Sequence, residues 1–221
     1  GNDFSKLVEL NSIQLNDTHP VVAIPEFIRI MTTENNVSFD EAFIMAKEVF
    51  NYTNHTVMAE ALEKWNIELV EKYTPEVFAV IEEINKRLIK ELKKLKVKKK
   101  DIAKYEIISD GQVHMARMAT YIGKYVNGVA EIHSEILKKD TLKEWYDIYP
   151  DKFQNKTNGI TQRRWLACCN PELTELLTRL VGDDSFLKDL DKLKNIERYA
   201  DDDSVIKEYI EIKKKKKRQL D

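Results

Sequence analysis

The sequence predicts an α/β protein that is predominantly helical, and three observations carry that prediction. Several long stretches repeat their apolar residues every three or four positions. Only one segment alternates like a convincing strand, and just six glycines interrupt 221 residues. The strand reading covers residues 7–15, with Leu7, Ile13 and Leu15 on one parity and Asn11 breaking the pattern. A helix follows the loop Asn16-Asp17-Thr18-His19-Pro20. Pro25 belongs in its first turn, where a proline gives up no helical hydrogen bond. "SFDEAFIMAKEVF" predicts a second helix, entered through a capping box of Ser38 and Glu41, with Ala42, Phe43, Ala46, Val49 and Phe50 as its apolar stripe. The strongest helix is "TPEVFAVIEEINKRLIKELKKL". Thr74 is placed to cap it, Pro75 suits its first position, and Val77, Ile81, Ile84, Leu88, Leu92 and Leu95 recur at helical spacing.

"KVKKKDIAKYE" breaks that pattern and reads as an exposed connection. Helical texture returns in "HMARMATYI" and "AEIHSEILKK". A polar stretch, "DKFQNKTNGITQRRW", then bends at Gly159. Four more helical stretches follow: residues 163–169, "PELTELLTRLV", residues 187–199 and "DDDSVIKEYIEIKKKKKR". A lone strand cannot satisfy its backbone groups, so weaker strands must hide at "FNYTN", "YEIIS" and "FQNKT", or lie outside the chain.

Composition narrows the function. The apolar share of 43% and charged share of 33% fit a globular protein with a sizeable core. A net charge of -2 argues against a nucleic-acid binder, and the basic tracts 93–100 and 213–218 lack the aromatic residues that would stack on bases. No apolar run reaches the roughly 20 residues of a membrane span. With no secretory signal in view, and Cys168 and Cys169 adjacent and unable to close a loop, a reducing, cytoplasmic setting is expected. Five Asn-x-Ser/Thr triplets, beginning at Asn16, Asn36, Asn51, Asn54 and Asn155, carry no information in that setting. The four histidines show no metal-ligand spacing, so no metal is expected, and His133 reads as a helix-surface or half-buried residue.

Three loops share one chemistry. "LNDTHP", "YTNHTVM" and "NKTNGIT" are dense in Asn, Thr and His with little net charge. Amides and imidazoles present donors and acceptors in fixed planes, which suits a ligand covered in neutral hydroxyls. Turn propensity alone explains any one such loop.

"IQLNDTHPVVAIPEFIRIM", "YTNHTVMAEALEKW", "VNGVAEIHSEILK" and "YPDKFQNKTNGITQRRWL" followed by "CNPEL" are similar, in order and spacing, to the middle of the α-glucan phosphorylases. The resemblance spans residues 13–176 and is looser beyond Val181. It implies a central fragment of a two-domain, Rossmann-like (GT-B type) glycosyltransferase. Residues 1–158 would end the N-terminal domain, and residues 159–221 would begin the C-terminal, cofactor-side domain. The implied activity is cleavage of terminal α-1,4-glucosyl units by inorganic phosphate to give glucose 1-phosphate, with pyridoxal phosphate as cofactor. By the same resemblance, His55, Thr56, Asn158, Asp17, His19 and Val129 face the glucosyl unit, and Trp165 lies by the cofactor. The Gly-Asn-Met-Lys motif that holds the cofactor in the family is absent, so this chain is expected neither to hold it covalently nor to act alone. Ala59, Gln162 and the segment Ile122-Gly123-Lys124-Tyr125 depart from the family pattern. The expected partners are α-glucan and phosphate, with no nucleic acid and no membrane. Unpaired strand edges point to a homo-oligomer. The alternatives are a non-catalytic carbohydrate-binding or regulatory module on the same scaffold, and a helical interaction protein.

Overall fold

Short strands with polar ends set the architecture of this computed structural model, which describes Phe4 and residues 6–220. In chain order the strands are β1 (Ile13–Asn16), β2 (Phe50–Thr53), β3 (Lys64–Asn66), β4 (Ile108–Ser109), β5 (Gln112–His114), β6 (Val126–Gly128) and β7 (Phe153–Asn155). Four form a wholly parallel sheet in the order β1-β2-β6-β7, and three form a small antiparallel sheet in the order β3-β5-β4. The weak strands at "FNYTN", "YEIIS" and "FQNKT" are therefore real and supply β2, β4 and β7. The chain divides into two compact units, Gly1–Asn158 and Gly159–Asp221.

The N-terminal reading needs correction. Residues 7–15 are not one strand: a short helix, α1 (Leu7–Leu10), precedes β1. Asn11, the residue that spoiled the alternation, ends that helix by donating its side-chain amide to the Leu7 carbonyl at 2.8 Å. The helix α2 (Ala23–Thr33) then carries Pro25 in its first turn, where the sequence required it. The next helix, α3 (Phe39–Val49), opens through the expected reciprocal cap. Glu41 N–H donates to Ser38 Oγ at 3.3 Å, and Ser38 N–H donates to the Glu41 carboxylate at 3.2 Å.

One short α-helix, α4 (Ile67–Tyr73), precedes the longest described helix, α5 (Pro75–Lys94), and α6 (Lys99–Ile102) follows it. Thr74 does not cap α5. Its hydroxyl donates back to the Val70 carbonyl at 2.9 Å, leaving Pro75 alone to start the helix. The stripe Val77, Ile81, Ile84, Leu88 and Leu92 is buried as its spacing demands, whereas Leu95 is exposed beyond the helix end. The segment read as an exposed connection holds α6 instead, because Ile102 and Tyr105 find apolar cover. Tyr105 meets Trp145 edge to face at 5.3 Å.

The remaining helices of the first unit are α7 (Met115–Ile122), α8 (Glu131–Ile136), which runs into a π-helical turn at Leu137–Thr141, and α9 (Lys143–Ile148). Leu15, Ile24, Ile28, Tyr52, Ile81, Leu88 and Tyr121 are among the fully buried side chains of this unit's core. The second unit is helical. It holds a π-helical segment Arg163–Cys168, α10 (Pro171–Val181), 3-10 turns at Ser185–Leu187 and Leu190–Tyr199, and α11 (Asp203–Leu220). Asn170 caps α10, and Gly182 ends it in the left-handed conformation with φ of 104°. The basic tail of α11 is not wholly solvated. Lys215 and Lys216 bind Glu172 and pull its carboxyl down to about 2.

Candidate functional site

Parallel pairing places the carboxyl ends of β1, β2, β6 and β7 on one edge, where open α/β sheets bind ligands. The register puts Asn16 opposite Thr53, Thr53 opposite Asn127, and Asn127 opposite Gln154, a row of four polar residues across the sheet. Within the row Thr53 Oγ1 donates to Asn127 Oδ1 at 2.7 Å, and it accepts from Gln14 Nε2, two residues back along β1, at 2.7 Å. The loops carrying six of the seven residues singled out in the sequence spring from the positions just beyond it.

After β1 the chain turns through Asp17, whose φ of 66° is left-handed, a conformation aspartate tolerates better than most residues. Asp17 Oδ1 accepts the Thr18 N–H at 2.7 Å, while its own N–H donates to the Thr53 carbonyl at 2.9 Å. Thr18 is buried and donates to Glu63 Oε2 at 2.7 Å. The same carboxylate lies 3.5 Å from Nδ1 of His19, whose side chain is exposed. Trp65 Nε1–H completes the Glu63 shell at 3.2 Å.

After β2, Asn54 is wholly buried and organises the loop. It donates from Nδ2 to the Tyr52 hydroxyl at 3.0 Å, and its Oδ1 accepts the Thr56 N–H at 2.9 Å. Burial pushes the Tyr52 hydroxyl well above the ordinary tyrosine range, so it stays a neutral partner. The resulting tight turn leaves His55 exposed, with Nε2 hydrogen-bonded to Asn16 Oδ1.

His133 is the residue the sequence misplaced. It is buried at 8% exposure because its ring joins two loops. Val129 N–H donates to Nδ1 at 3.0 Å. That nitrogen therefore carries the lone pair, and Nε2–H points to Asn54 Oδ1 and the Thr56 carbonyl, both at 3.2 Å. Across β6 and β7, Ser134 Oγ donates to the Ala130 carbonyl and lies 2.9 Å from Asn155 Oδ1. Gly128 is obligatory, since a Cβ there would sit 2.6 Å from Ser134 Oγ and 2.8 Å from its backbone nitrogen. Asn158 N–H donates to the Val129 carbonyl at 2.9 Å, which leaves its exposed side-chain amide unspent among the described residues.

Asp17, His19, His55, Thr56, Val129 and Asn158 are thus all carried by loops on one sheet edge. Trp165 belongs to the second unit, where its ring is 63% exposed. Asn54, Glu63, Gly128, His133 and Ser134 were not singled out for the site. Asn54 stood inside a quoted motif, but nothing local to Glu63 or His133 signals a partner 45 or 79 residues away. Among the described residues no group of three His, Cys, Asp or Glu side chains could hold a metal. The edge offers amide, imidazole and hydroxyl groups, equipment for binding and orienting neutral hydroxyls.

Fold and edge together define an α/β protein whose polar loops suit a sugar-like ligand. A family model for carbohydrate phosphorylases matches residues 1–221. Glycogen phosphorylase 2 of Dictyostelium discoideum is 43% identical over 229 residues, covering 100% of this chain and 23% of that protein. Maltodextrin phosphorylase of Streptococcus pneumoniae is 43% identical over 221 residues, covering 100% of this chain and 28% of that protein. Cytosolic alpha-glucan phosphorylase 2 of Arabidopsis thaliana is 40% identical over 95% of this chain and 25% of its own length. The chain belongs to the carbohydrate phosphorylase family and spans about a quarter of the length of these relatives.

Proposed function

We propose that this chain is the glucosyl-binding portion of an α-glucan phosphorylase, a glycosyltransferase of GT-B type that cleaves terminal α-1,4-glucosyl units with inorganic phosphate. The observation that supports this is the gathering of Asp17, His19, His55, Thr56, Val129 and Asn158 on the loops of one parallel-sheet edge. In this reading residues 1–158 end the N-terminal domain and residues 159–221 open the C-terminal one. The His55 imidazole and the Asn158 amide hydrogen-bond sugar hydroxyls, Thr56 supports the His55 turn, and Val129 gives an apolar wall. Asp17 and His19 line the side of the pocket next to the anomeric carbon. A directed bond to one neutral hydroxyl is worth about 0.5–1.5 kcal/mol, so several must act together.

Pyridoxal phosphate supplies acid–base chemistry through its phosphate in this family. Trp165 contributes an exposed aromatic face and one indole N–H, which does not by itself make a site for that cofactor. The chain's own part is therefore recognition and orientation of the sugar. The parent is a cytoplasmic homo-oligomer in this reading, and among the described residues no helix is long and apolar enough to cross a membrane.

Two measurements test the proposal. Maltoheptaose added to the isotope-labelled chain should shift the NMR signals of His55, Thr56 and Asn158, and shifts confined to other surfaces would refute the assignment. The chain supplied with pyridoxal phosphate, phosphate and maltoheptaose should release no glucose 1-phosphate. Measurable turnover would overturn the division of labour.

A further inference from the structure

A second concavity in the first unit, of about 340 Å³, lies between the small antiparallel sheet and α7 and α9. Its wall includes Leu62, Leu142 and Trp145 on the apolar side, and Lys104, His114 and Arg117 on the polar side. Arg117 is held at one corner only. Its Nη1 donates to the Glu106 carbonyl at 2.7 Å, to Ser109 Oγ at 3.2 Å and to the Ala103 carbonyl at 3.3 Å. Those anchors fix the guanidinium plane. The Nε and Nη2 edge has no protein acceptor among the described residues, and neither nitrogen is a sealed, unsatisfied atom, so the edge reaches accessible space.

That edge is the fork arginine uses to grip a carboxylate or phosphate with two parallel hydrogen bonds. Arg29 in the same chain shows the geometry on Glu26, with Nε and Nη2 at 2.7 and 2.8 Å from its two oxygens. Three cations on the wall, Lys64, Lys104 and Arg117, face two carboxylates, Glu63 and Glu144, while Asp101 pairs with Lys104, and Glu106 and Asp110 also act on Arg117. The anion is therefore selected by the free fork rather than by net charge. Burial lowers the Arg117 pKa below the usual guanidinium value, a sign that the charge lacks solvent. His114 adds no charge at neutral pH. Burial, with Arg117 and Lys64 nearby, takes it down to about 4, and Ser109 Oγ lies 2.9 Å from its Nε2.

We propose that this cavity binds a small organic oxyanion with a flat apolar body, of the size of benzoate, gripped by the free edge of Arg117. The walls select the body. A bare ion would satisfy the fork but leave the half-buried face of Leu62 and the alkyl stems of Lys64 and Lys104 against water, whereas an aromatic or branched carboxylate covers both. The cavity shares Glu63 with the strand-end cluster, but the Arg117 fork does not, and the proposal stands whether or not those loops bind glucose.

Calorimetric titration of the full chain with benzoate, inorganic phosphate and benzyl alcohol tests the idea. Saturable binding of one benzoate is expected, with phosphate and benzyl alcohol each weaker by about tenfold or more, a difference of ~1.4 kcal/mol. Arg117→Gln should weaken benzoate by a similar factor. Lys104→Glu changes an exposed rim side chain without threatening the fold, and should weaken benzoate several-fold while leaving benzyl alcohol unaffected. Absence of saturable benzoate binding, equal affinity for phosphate, or wild-type affinity in Lys104→Glu and in folded Arg117→Gln would each overturn the proposal.

Discussion

At Glu91 the two carboxylate oxygens accept from the Tyr121 and Tyr149 hydroxyls at 2.9 and 2.7 Å, with Lys47 at 3.8 Å. Close by, the Lys152 ammonium donates to the carbonyls of Thr120, Tyr121 and Gly123 at 3.1, 2.7 and 2.9 Å, closing the end of α7. Both Glu91 carboxylate oxygens and the Lys152 ammonium are thus engaged inside the protein. Burial pushes the Glu91 carboxyl up, yet the Tyr149 hydroxyl, Lys47 and the Tyr121 hydroxyl outweigh it and hold it below the ordinary value. The strand-end cluster is built in reverse. Asn54 and His133 are saturated inside, so that His55, His19 and Asn158 project outward with hydrogen-bonding capacity to spare. Two equally polar regions thus differ in what they leave unpaired, and that remainder separates a candidate binding edge from a structural knot.

The contrast breaks most visibly at His133. Replacing it with Leu strips an acceptor from Val129 N–H and a donor from Asn54 and Thr56, and should cost about 2–4 kcal/mol in urea unfolding. Lys152→Met should cost about 2–3 kcal/mol through three orphaned carbonyls at the end of α7.

The pH response sharpens the difference. Burial takes Lys152 down to about 7, while an unfolded lysine titrates near 10.4. Between those values the unfolded chain binds one more proton than the folded chain. Stability should therefore climb from about pH 7 toward pH 10 and stay flat with respect to this group below pH 7. Unfolding midpoints at half-unit pH steps measure the slope, and Lys152→Met should lose it.

Smaller effects belong to the outer layer. Asp17→Ala should lose about 1 kcal/mol, since alanine dislikes a positive φ and cannot accept the Thr18 N–H, while Asp17→Gly should recover part of it. His55→Ala should move stability by no more than about 0.5 kcal/mol, yet weaken any sugar bound at the edge by about 0.5–1.5 kcal/mol. Thermal melts and the NMR titration separate those two readouts.

Local physics made much of the fold legible. Ser38 and Glu41 announced α3, Pro75 and the stripe from Val77 to Leu92 announced α5, and Asn170 with Gly182 bounds α10 as such residues do. The strands were harder, because each has at most four residues and β6 and β7 contribute three apiece. Runs that short show no periodicity, and in the four-stranded sheet parallel pairing with distant partners holds them in place. The exposed half of the candidate site was visible as Asn-, Thr- and His-rich loops. Its buried half was not, since His133 acquires its role only from Asn54 and Thr56, brought beside it by the pairing of β2 with β6.

The transverse row Asn16, Thr53, Asn127 and Gln154 also limits how the protein can be remodelled. Side chains alternate between the two faces of a sheet, so deleting one residue within β1, β2, β6 or β7 would turn the following loop half a revolution. Apolar groups would then be presented where amides now stand. Insertions placed beyond the row leave that phase untouched. Designers can lengthen these loops to reach larger ligands, but cannot trim the strands that aim them.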